Sequence, residues 1–313
     1  MPKKLAVNPI MGLGVIKNLL ALTLTAALGL ISSLFFSSPS LAETVIEKVA
    51  RTGVLTIGTR IDIIPYAYVD DQQQLVGYSV DITNLIKEEL EKQLDKEIVI
   101  QTIVEEKFED RIPQIVNGEV DLVCSTAFTW ERDQHVDFSV SYGISGVRVL
   151  AKRDSEIEDS PESLVDKRIG IAPYTIAEST LDFIQPEAIK VPIEDVDQGF
   201  KALQSGEIDA IIGDTIALTG IIQRDNPDEY KLRPLEPYAR YGIACMIPEN
   251  DSSFRDLVNY SLVKFMQGYV TEEQSSVDIV ERWFGQSGIV EIKPELIREF
   301  FQSIIRTHEQ IQY

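Results

Sequence analysis

The stretches Ile115-Val-Asn-Gly-Glu-Val-Asp-Leu-Val-Cys-Ser125 and Leu203-Gln-Ser-Gly-Glu-Ile-Asp-Ala-Ile-Ile-Gly213 share one layout at an offset of 88 residues. In each, a glycine suited to the left-handed position ends a helix, and Glu-(Val/Ile)-Asp then leads into a short buried strand. One such match is common in α/β proteins. Two copies with the same Gly-Glu-(Val/Ile)-Asp core favour two similarly built lobes.

The segment upstream of the first copy reads as a β-α-β unit. Val54–Arg60 is a short β-rich run, and apolar residues at 82, 85, 86, 90 and 94 have the three-and-four spacing of an amphipathic helix. Ile98–Val104 returns as a strand. Such units build parallel sheets with helices on their faces, so we expect each lobe to be a mixed sheet flanked by helices.

The composition is that of a globular protein with one large or two medium domains. The 313 residues are 44% hydrophobic and carry 29 Lys and Arg against 50 Asp and Glu, a net charge of −21. A disordered chain would be less apolar and a membrane transporter more so. No basic footprint exists to displace counterions from phosphate, so no nucleic-acid partner is expected.

The first 42 residues resemble an export signal. Lysines 3, 4 and 17 precede an apolar run over residues 19–36, and the small residues Ser40 and Ala42 precede Glu43. The alternative is an uncleaved anchor, since the run approaches membrane-spanning length. We favour cleavage of residues 1–42 and a periplasmic location, and the lack of a nearby Cys argues against a lipid anchor.

Cys124 and Cys245 are the only cysteines. An even number of thiols in an oxidising compartment favours a disulfide, with two free thiols as the alternative. Neither His135 nor His308 stands at metal-ligand spacing from a Cys, and no C-x-x-C motif occurs. We therefore expect neither a metal site nor a cofactor.

A cleft between the lobes is the expected binding site, because ligands in open α/β sheets bind beyond the carboxyl ends of the strands. The two repeated strands end at Ser125-Thr126 and at Gly213-Asp214, and the offset of 88 pairs Thr126 with Asp214. The cleft would have hydroxyls from one lobe and a carboxylate from the other. Taken alone, Asp214 would more often be a helix cap.

Thr175 and Glu178 follow the predicted strand Arg168–Ile171 and fit a capping box. A helix is therefore expected to begin here, with free N–H groups that suit an anionic ligand. Capping alone would explain both residues.

Three arginines stand at the ends of elements that converge on one sheet edge. Arg60 ends the first strand, Arg111 opens the helix after the strand Ile98–Val104, and Arg132 lies just past the Ser125-Thr126 strand end. Each alone would most often be a solvated charge. Because a guanidinium grips a carboxylate with two parallel hydrogen bonds, three together point to a ligand with more than one negative group.

The sequence resembles the polar amino-acid-binding family of periplasmic solute-binding proteins over essentially all of residues 43–313. The family resemblance rests on the Trp283-Phe284 pair and on five motifs: Gly77-Tyr-Ser-Val-Asp81, Arg111-Ile-Pro-x-x-x-Asn-Gly118, Thr129-Trp-Glu-Arg132, Val136-Asp-Phe-Ser139 and Leu203-x-x-Gly206-x-x-Asp209. The nearest branch is that of the glutamate/aspartate-binding proteins. The resemblance to this branch rests on the paired cysteines and on Ile57-Gly-Thr-Arg60, Val76-Gly-Tyr-Ser79 and Asp110-Arg-Ile-Pro113.

The resemblance implies a type II periplasmic-binding-protein clamshell that closes around a free amino acid and delivers it to an ABC permease by transient docking. Lobe 1 would be discontinuous, residues 43–142 and 243–313, and lobe 2 would be residues 143–242, with two hinge crossings near Tyr142 and Tyr241. We expect a monomer that is not an enzyme.

The resemblance also assigns roles to single residues. Arg132 would hold the ligand α-carboxylate with Ser125 and Thr126, and Asp214 would hold the α-ammonium. Arg60 and Arg111 would receive the side-chain carboxylate of glutamate or aspartate. Thr175 would contact the ligand from the helix start in lobe 2, and Phe108 is the eighth candidate ligand-binding residue.

Several positions depart from the glutamate/aspartate branch. The loop after Cys124 is one residue shorter, so the roles of residues 125–127 shift if the alignment moves by one. Tyr174 replaces a glycine, and Ala172 and Ile176 replace hydroxyl residues. Phe108 stands where other branches place an aromatic over the ligand and this branch a small polar residue. Glutamine and other polar amino acids therefore stay open as ligands.

Two other functions occur among proteins that resemble this sequence. Some relatives are dehydratases acting on prephenate-like acids, but such an enzyme needs a general acid or base in the cleft, and neither histidine has a sequence reason to enter it. The same clamshell also serves sensor kinases and ion channels, which continue into a membrane-spanning segment. The chain ends in a polar helical segment, residues 294–313, which favours a free-standing binder.

Overall fold

The computed structural model describes residues 43–224 and 227–308. The predicted signal peptide, residues 1–42, lies outside the described residues. Within the described part, no helix combines the length and apolar character needed to cross a membrane.

The strands of the described residues form one large sheet and one small sheet. The small sheet is β2-β3-β4, and all other strands belong to the large one. The strands are β1 Val54–Thr59, β2 Asp62–Ile63, β3 Ala67–Val69, β4 Leu75–Val76, β5 Val99–Val104, β6 Leu122–Ala127, β7 Asp137–Phe138, β8 Gly143–Lys152, β9 Arg168–Ile171, β10 Ile189–Pro192, β11 Ala210–Asp214, β12 Tyr230–Arg233 and β13 Ala239–Ile247.

Helices flank the large sheet, and short 3₁₀ turns at Phe108–Asp110, Arg132–Gln134 and Pro161–Leu164 lie between them. The α-helices of the described residues are α1 Val45–Thr52, α2 Tyr78–Leu94, α3 Arg111–Val116, α4 Ile176–Ile184, α5 Val196–Ser205, α6 Thr215–Arg224, α7 Ser252–Val270, α8 Gln274–Phe284 and α9 Pro294–His308.

The large sheet has the order β10-β9-β11-β8-β13-β6-β1-β5, with β12 beside β8 and β7 beside β13. Strand β1 pairs in parallel with β5 and β6, and β9 pairs in parallel with β10 and β11. The two long strands β8 and β13 pair antiparallel with each other between these groups. The sheet is mixed, as predicted, and β8 and β13 carry the chain from one group to the other.

Separate hydrophobic cores support the two-lobed arrangement. One core packs α2, α7 and α8 against β1 and β6, around Leu55, Ile86 and Phe254. Two others lie on the faces of the β9–β11 group, around Ile169 and Phe200. The clamshell fold is confirmed, whereas the exact lobe boundaries at 142/143 and 242/243 stay a prediction.

The repeated motif folds as its residues indicate. Gly118 and Gly206 have φ of 70° and 78°, the left-handed conformation that ends a helix, and each is followed by a buried strand. The β-α-β unit also forms, but α2 begins at Tyr78 and not at Ile82. Tyr78 is buried and extends the apolar stripe by one turn, because it precedes Ile82 by four residues.

Cys124 and Cys245 form a disulfide, as expected. The bond joins β6 to β13, which pair side by side, at a register shift between Ala244 and Met246. It therefore connects the neighbouring strands β6 and β13 and does not reach the strands β9, β10 and β11 of the other group.

We expect the double variant Cys124→Ala, Cys245→Ala to lose about 3 kcal/mol of unfolding free energy, because the disulfide shortens an otherwise flexible unfolded chain. The cysteines are separated by 121 residues, a long loop for such a bond to close. Urea unfolding checks this, with reductant-treated wild type as the matched control. Equal stability of wild type and variant without reductant would contradict it.

The C-terminal helix α9 packs on the first core. Phe301 is 1% exposed, and its ring centre lies 5.7 Å from that of Phe265 and 5.4 Å from that of Tyr269. Arg298 Nη1 donates to the Val270 carbonyl at 2.6 Å. The C-terminal segment, which the sequence predicted to be helical, therefore packs on the first core as far as residue 308.

Candidate functional site

A cavity of about 120 Å³ lies between the two lobes at the carboxyl ends of their strands. Its walls come from β6 and the turns around it on one side, and from the ends of β9 and β11 on the other. Six of the eight predicted ligand residues border it: Phe108, Arg111, Ser125, Arg132, Thr175 and Asp214.

Arg132 is held in place at the lobe junction. Its N–H donates to Thr129 Oγ1 at 3.2 Å, and Nη1 donates to the Ala127 carbonyl at 3.0 Å. Nη2 donates across the cleft to the Tyr174 carbonyl at 2.9 Å. Burial, and then the nearby positive charge of Arg111, lower the pKa of Arg132. A negative group in this cavity would therefore relieve an unfavourable environment.

Ser125 offers an unused hydroxyl to the cavity. Its φ is 65°, an uncommon backbone conformation for a serine, and its N–H donates to Tyr142 Oη at 2.7 Å. Its Oγ is buried and has no hydrogen-bond partner among the described residues. A positive φ at a non-glycine residue and a buried hydroxyl without a partner are both features that are common at ligand-binding positions.

Thr126 does not border the cavity. Its Oγ1 lies 3.4 Å from the Ala244 carbonyl on β13, on the side of the strand opposite to Ser125 and Ala127. The repeat pairs Thr126 with Asp214, but of these two residues only Asp214 borders the cavity.

Asp214 stands at the end of β11 and caps α6. Oδ1 accepts from the Ala217 N–H at 2.9 Å, and Oδ2 accepts from Tyr241 Oη at 2.6 Å. Burial raises the pKa of Asp214, although these hydrogen bonds favour the ionised form. A cationic ligand group beside this carboxylate would favour the ionised form further. Asp214 therefore caps the helix and also lies where it could bind such a group.

The predicted capping box at Thr175 does not form. Thr175 Oγ1 donates to the Ala172 carbonyl at 2.7 Å, and Glu178 Oε2 accepts from the N–H of Tyr174. The helix nevertheless begins at Ile176, as expected. Tyr174 has φ of 60°, so it keeps a backbone conformation that glycine adopts readily. The box fails because the carboxylate of Glu178 bonds one residue earlier than the N-cap.

Arg111 faces the cavity and is paired from behind. Its Nε donates to Glu105 Oε2 at 2.7 Å, and Nη1 lies 3.5 Å from the Ser125 carbonyl. Nη2 has no hydrogen-bond partner among the described residues. Burial raises the pKa of Glu105 and the charge of Arg111 opposes this. Arg111 thus has donors left for a ligand.

Arg60 is buried but does not border the cavity. Nε and Nη2 donate to the two carboxylate oxygens of Asp62 at 2.8 and 2.6 Å, and Nη1 donates to the Glu106 carbonyl at 2.7 Å. Of the two arginines expected to receive the ligand side chain, Arg60 and Arg111, only Arg111 borders the cavity.

Sequence reasoning missed Asp62, Glu105 and Tyr241, which hold the arginines and Asp214. Of these three, only Asp62 could have been identified from the sequence as a partner of an arginine, because it follows Arg60 by two residues. His135 borders a second, outer cavity of about 450 Å³ next to Arg132 and is exposed. No sequence motif indicated a histidine so near the cleft.

The sequence profile of the bacterial extracellular solute-binding proteins, family 3, matches residues 55–286, most of the chain. The chain belongs to this family. The match runs from β1 to just past α8, so it includes both lobes and leaves α9 outside it. The resemblance inferred from the motifs is confirmed at this level.

This family 3 solute-binding protein has relatives with different ligands in their names. It is 29% identical over 272 residues to the glutamate/aspartate import solute-binding protein of Escherichia coli, covering 85% of each chain. The Salmonella typhimurium protein of the same name is 29% identical over 249 residues, 78% of this chain and 79% of that one. A glutamine-binding protein of Geobacillus stearothermophilus is 30% identical over 196 residues, 59% and 70% of the two chains.

Solved structures confirm the fold of this solute-binding protein. An ancestral arginine-binding protein bound to glutamine has a TM-score of 0.66 at 22% identity, covering 75% of this chain and 99% of that one. An ancestral amino acid-binding protein described as a precursor of cyclohexadienyl dehydratase has a TM-score of 0.65 at 21% identity, covering 77% and 99%. At these identities the likeness is one of architecture.

Proposed function

We propose that this protein captures an acidic amino acid, glutamate or aspartate, in the periplasm and delivers it as a monomer to an ABC permease. The observation that carries the proposal is the placement of Arg132, Asp214 and Arg111 around one cavity. Arg132 and Arg111 can each donate to a carboxylate and Asp214 can accept from an ammonium, and a dicarboxylic amino acid offers these three groups. The names of the Escherichia coli and Salmonella relatives point the same way.

In this proposal each end of the ligand has its own partner. Arg132 receives the α-carboxylate with the hydroxyl of Ser125, whose Oγ has no partner among the described residues. Asp214 receives the α-ammonium. Arg111 receives the side-chain carboxylate with the donors that Glu105 leaves open. Charge-assisted hydrogen bonds of this kind are the strongest that a pocket can offer.

The same groups exclude apolar amino acids. An apolar side chain would cover the Arg111 donors that Glu105 leaves open, and a buried donor left without an acceptor costs about 1–3 kcal/mol. Selectivity therefore comes from the penalty for these unsatisfied donors as much as from the favourable contact.

Glutamine is the second candidate. Arg60, one of the two arginines expected at the side-chain end, is already paired with Asp62. A single facing guanidinium can donate to an amide carbonyl as well as to a carboxylate, and one relative is a glutamine-binding protein.

Calorimetric titration of ligand-stripped protein with the twenty amino acids tests the proposal. Glutamate and aspartate should bind with the greatest affinity among them. The Arg111→Met variant should then weaken glutamate binding by about 2–3 kcal/mol, roughly 30- to 150-fold, because the side-chain carboxylate loses its charged partner.

The matched control for Arg111→Met is Arg255→Met. Arg255 pairs with Asp137 in the same lobe and does not border the cavity, so its loss should leave affinity unchanged. A preference for apolar or basic amino acids would overturn the acidic assignment. Turnover of a prephenate-like acid would favour the dehydratase alternative over transport.

A further inference from the structure

Arg60 is fully engaged by groups of its own lobe. Asp62 grips its Nε and Nη2 in a bidentate pair, Glu106 accepts from Nη1, and the Arg60 side chain is 5% exposed. Burial lowers the pKa of Arg60, but the surrounding carboxylates prevail and raise it. Withdrawing this guanidinium to serve a ligand would leave the Asp62 carboxylate without its partner.

Phe108 stands beside both arginines. The guanidinium carbons of Arg60 and Arg111 each lie 4.8 Å from the centre of its ring. Phe108 and Arg111 border the ligand cavity, whereas Arg60 does not. The aromatic ring therefore takes up wall area next to Arg60, and its face provides a favourable surface for a guanidinium.

The charges at this end of the cavity cancel. Asp62 pairs with Arg60, and Glu105 pairs with Arg111. Glu105 and Asp195, the N-cap of α5 in the other lobe, also act electrostatically on Arg60. Two cations thus face at least as many carboxylates, and no excess positive charge remains to demand an anionic ligand side chain.

We infer that Asp62 is a specificity-determining residue: it keeps Arg60 from the ligand, and the site therefore accepts amide amino acids as well as dicarboxylic ones. The inference rests on the proposed capture of a polar amino acid. A single guanidinium from Arg111 can donate to the carbonyl of an amide or to a carboxylate. A second, uncompensated guanidinium would favour the carboxylate, since only the anion gains from the added charge.

The test compares the dissociation constants of glutamate and glutamine by calorimetry. Wild type should bind the two within about tenfold of each other. Asp62→Asn removes the compensating charge and keeps the shape, so the preference for glutamate should rise by about tenfold or more. The Arg60→Met, Asp62→Asn double variant should return to the wild-type ratio, because the freed charge is then absent.

Asp137→Asn is the matched control. It removes a carboxylate paired with an arginine in the same lobe, away from the ligand cavity, and should leave the ratio unchanged. Thermal unfolding of each ligand-free variant shows whether it is folded, and the ratio of two affinities cancels a general loss of competent protein.

The possible results separate this inference from the proposed function. An unchanged ratio in Asp62→Asn overturns the role of Asp62 and leaves amino-acid capture intact. An Arg60→Met variant that loses glutamate affinity as strongly as Arg111→Met also overturns it, because Arg60 would then contact the ligand. Wild type that binds neither glutamate nor glutamine overturns both proposals.

Discussion

We expect the Arg132→Ala variant to bind the preferred amino acid about a thousandfold more weakly, a loss of about 4 kcal/mol. Arg132 donates to the Ala127 carbonyl of its own lobe and, across the cleft, to the Tyr174 carbonyl. Removing it leaves the α-carboxylate without its proposed charged partner. Calorimetric titration measures the loss.

Two further variants separate this effect from loss of fold. Arg132→Lys keeps a charge but loses the bidentate geometry, so its affinity should fall between those of wild type and the alanine variant. Arg255→Ala, on the surface of the same lobe, should bind as wild type does. An Arg132→Ala protein that is folded and binds within tenfold of wild type would rule out the carboxylate role.

Asp214→Asn should weaken binding by several hundredfold, about 3–4 kcal/mol, because the ligand ammonium loses its only expected anionic partner. The asparagine still accepts from the Ala217 N–H, so the start of α6 is retained. Asp197→Asn on the same lobe is the control, since Asp197 pairs with Arg224 at the surface. Affinity close to wild type would contradict the assignment.

The same residue predicts opposite pH trends for binding and for stability. Burial raises the pKa of Asp214 in the folded protein above its unfolded value. Protonation therefore favours the ligand-free fold, and its contribution to the unfolding free energy should grow as pH falls from neutral toward about 4. Affinity should fall over that range, because the ammonium needs the ionised carboxylate. Asp214→Asn should flatten both trends when each is measured across a pH series.

The elements that the sequence predicted are those set by local chemistry. Gly118 and Gly206 end helices because glycine adopts the left-handed conformation without strain, and the carboxyl ends of parallel strands meet at one sheet edge. This was sufficient to bring Arg132, Ser125 and Asp214 to one cavity. The disulfide was expected from an even number of cysteines in a chain predicted to be exported, and the structure shows the strand pairing that brings them together.

The remaining features depend on side-chain direction. Neighbouring residues of a strand point to opposite faces, so Ser125 and Thr126 cannot both face the ligand, yet both were expected to do so. The sequence likewise did not determine whether the Arg60 side chain would turn toward the cleft or toward Asp62, because a long arginine side chain can extend in either direction. Tyr241 approaches Asp214 only because β13 pairs with β8.

The hydrogen bond from Arg132 to the Tyr174 carbonyl has an evolutionary consequence. Its acceptor belongs to the main chain, so no substitution at position 174 can delete it provided that the turn keeps its backbone conformation. Position 174 is therefore free to drift among residues that tolerate a positive φ. A comparison of side-chain identities alone would therefore overlook this contact, because its acceptor is the main chain.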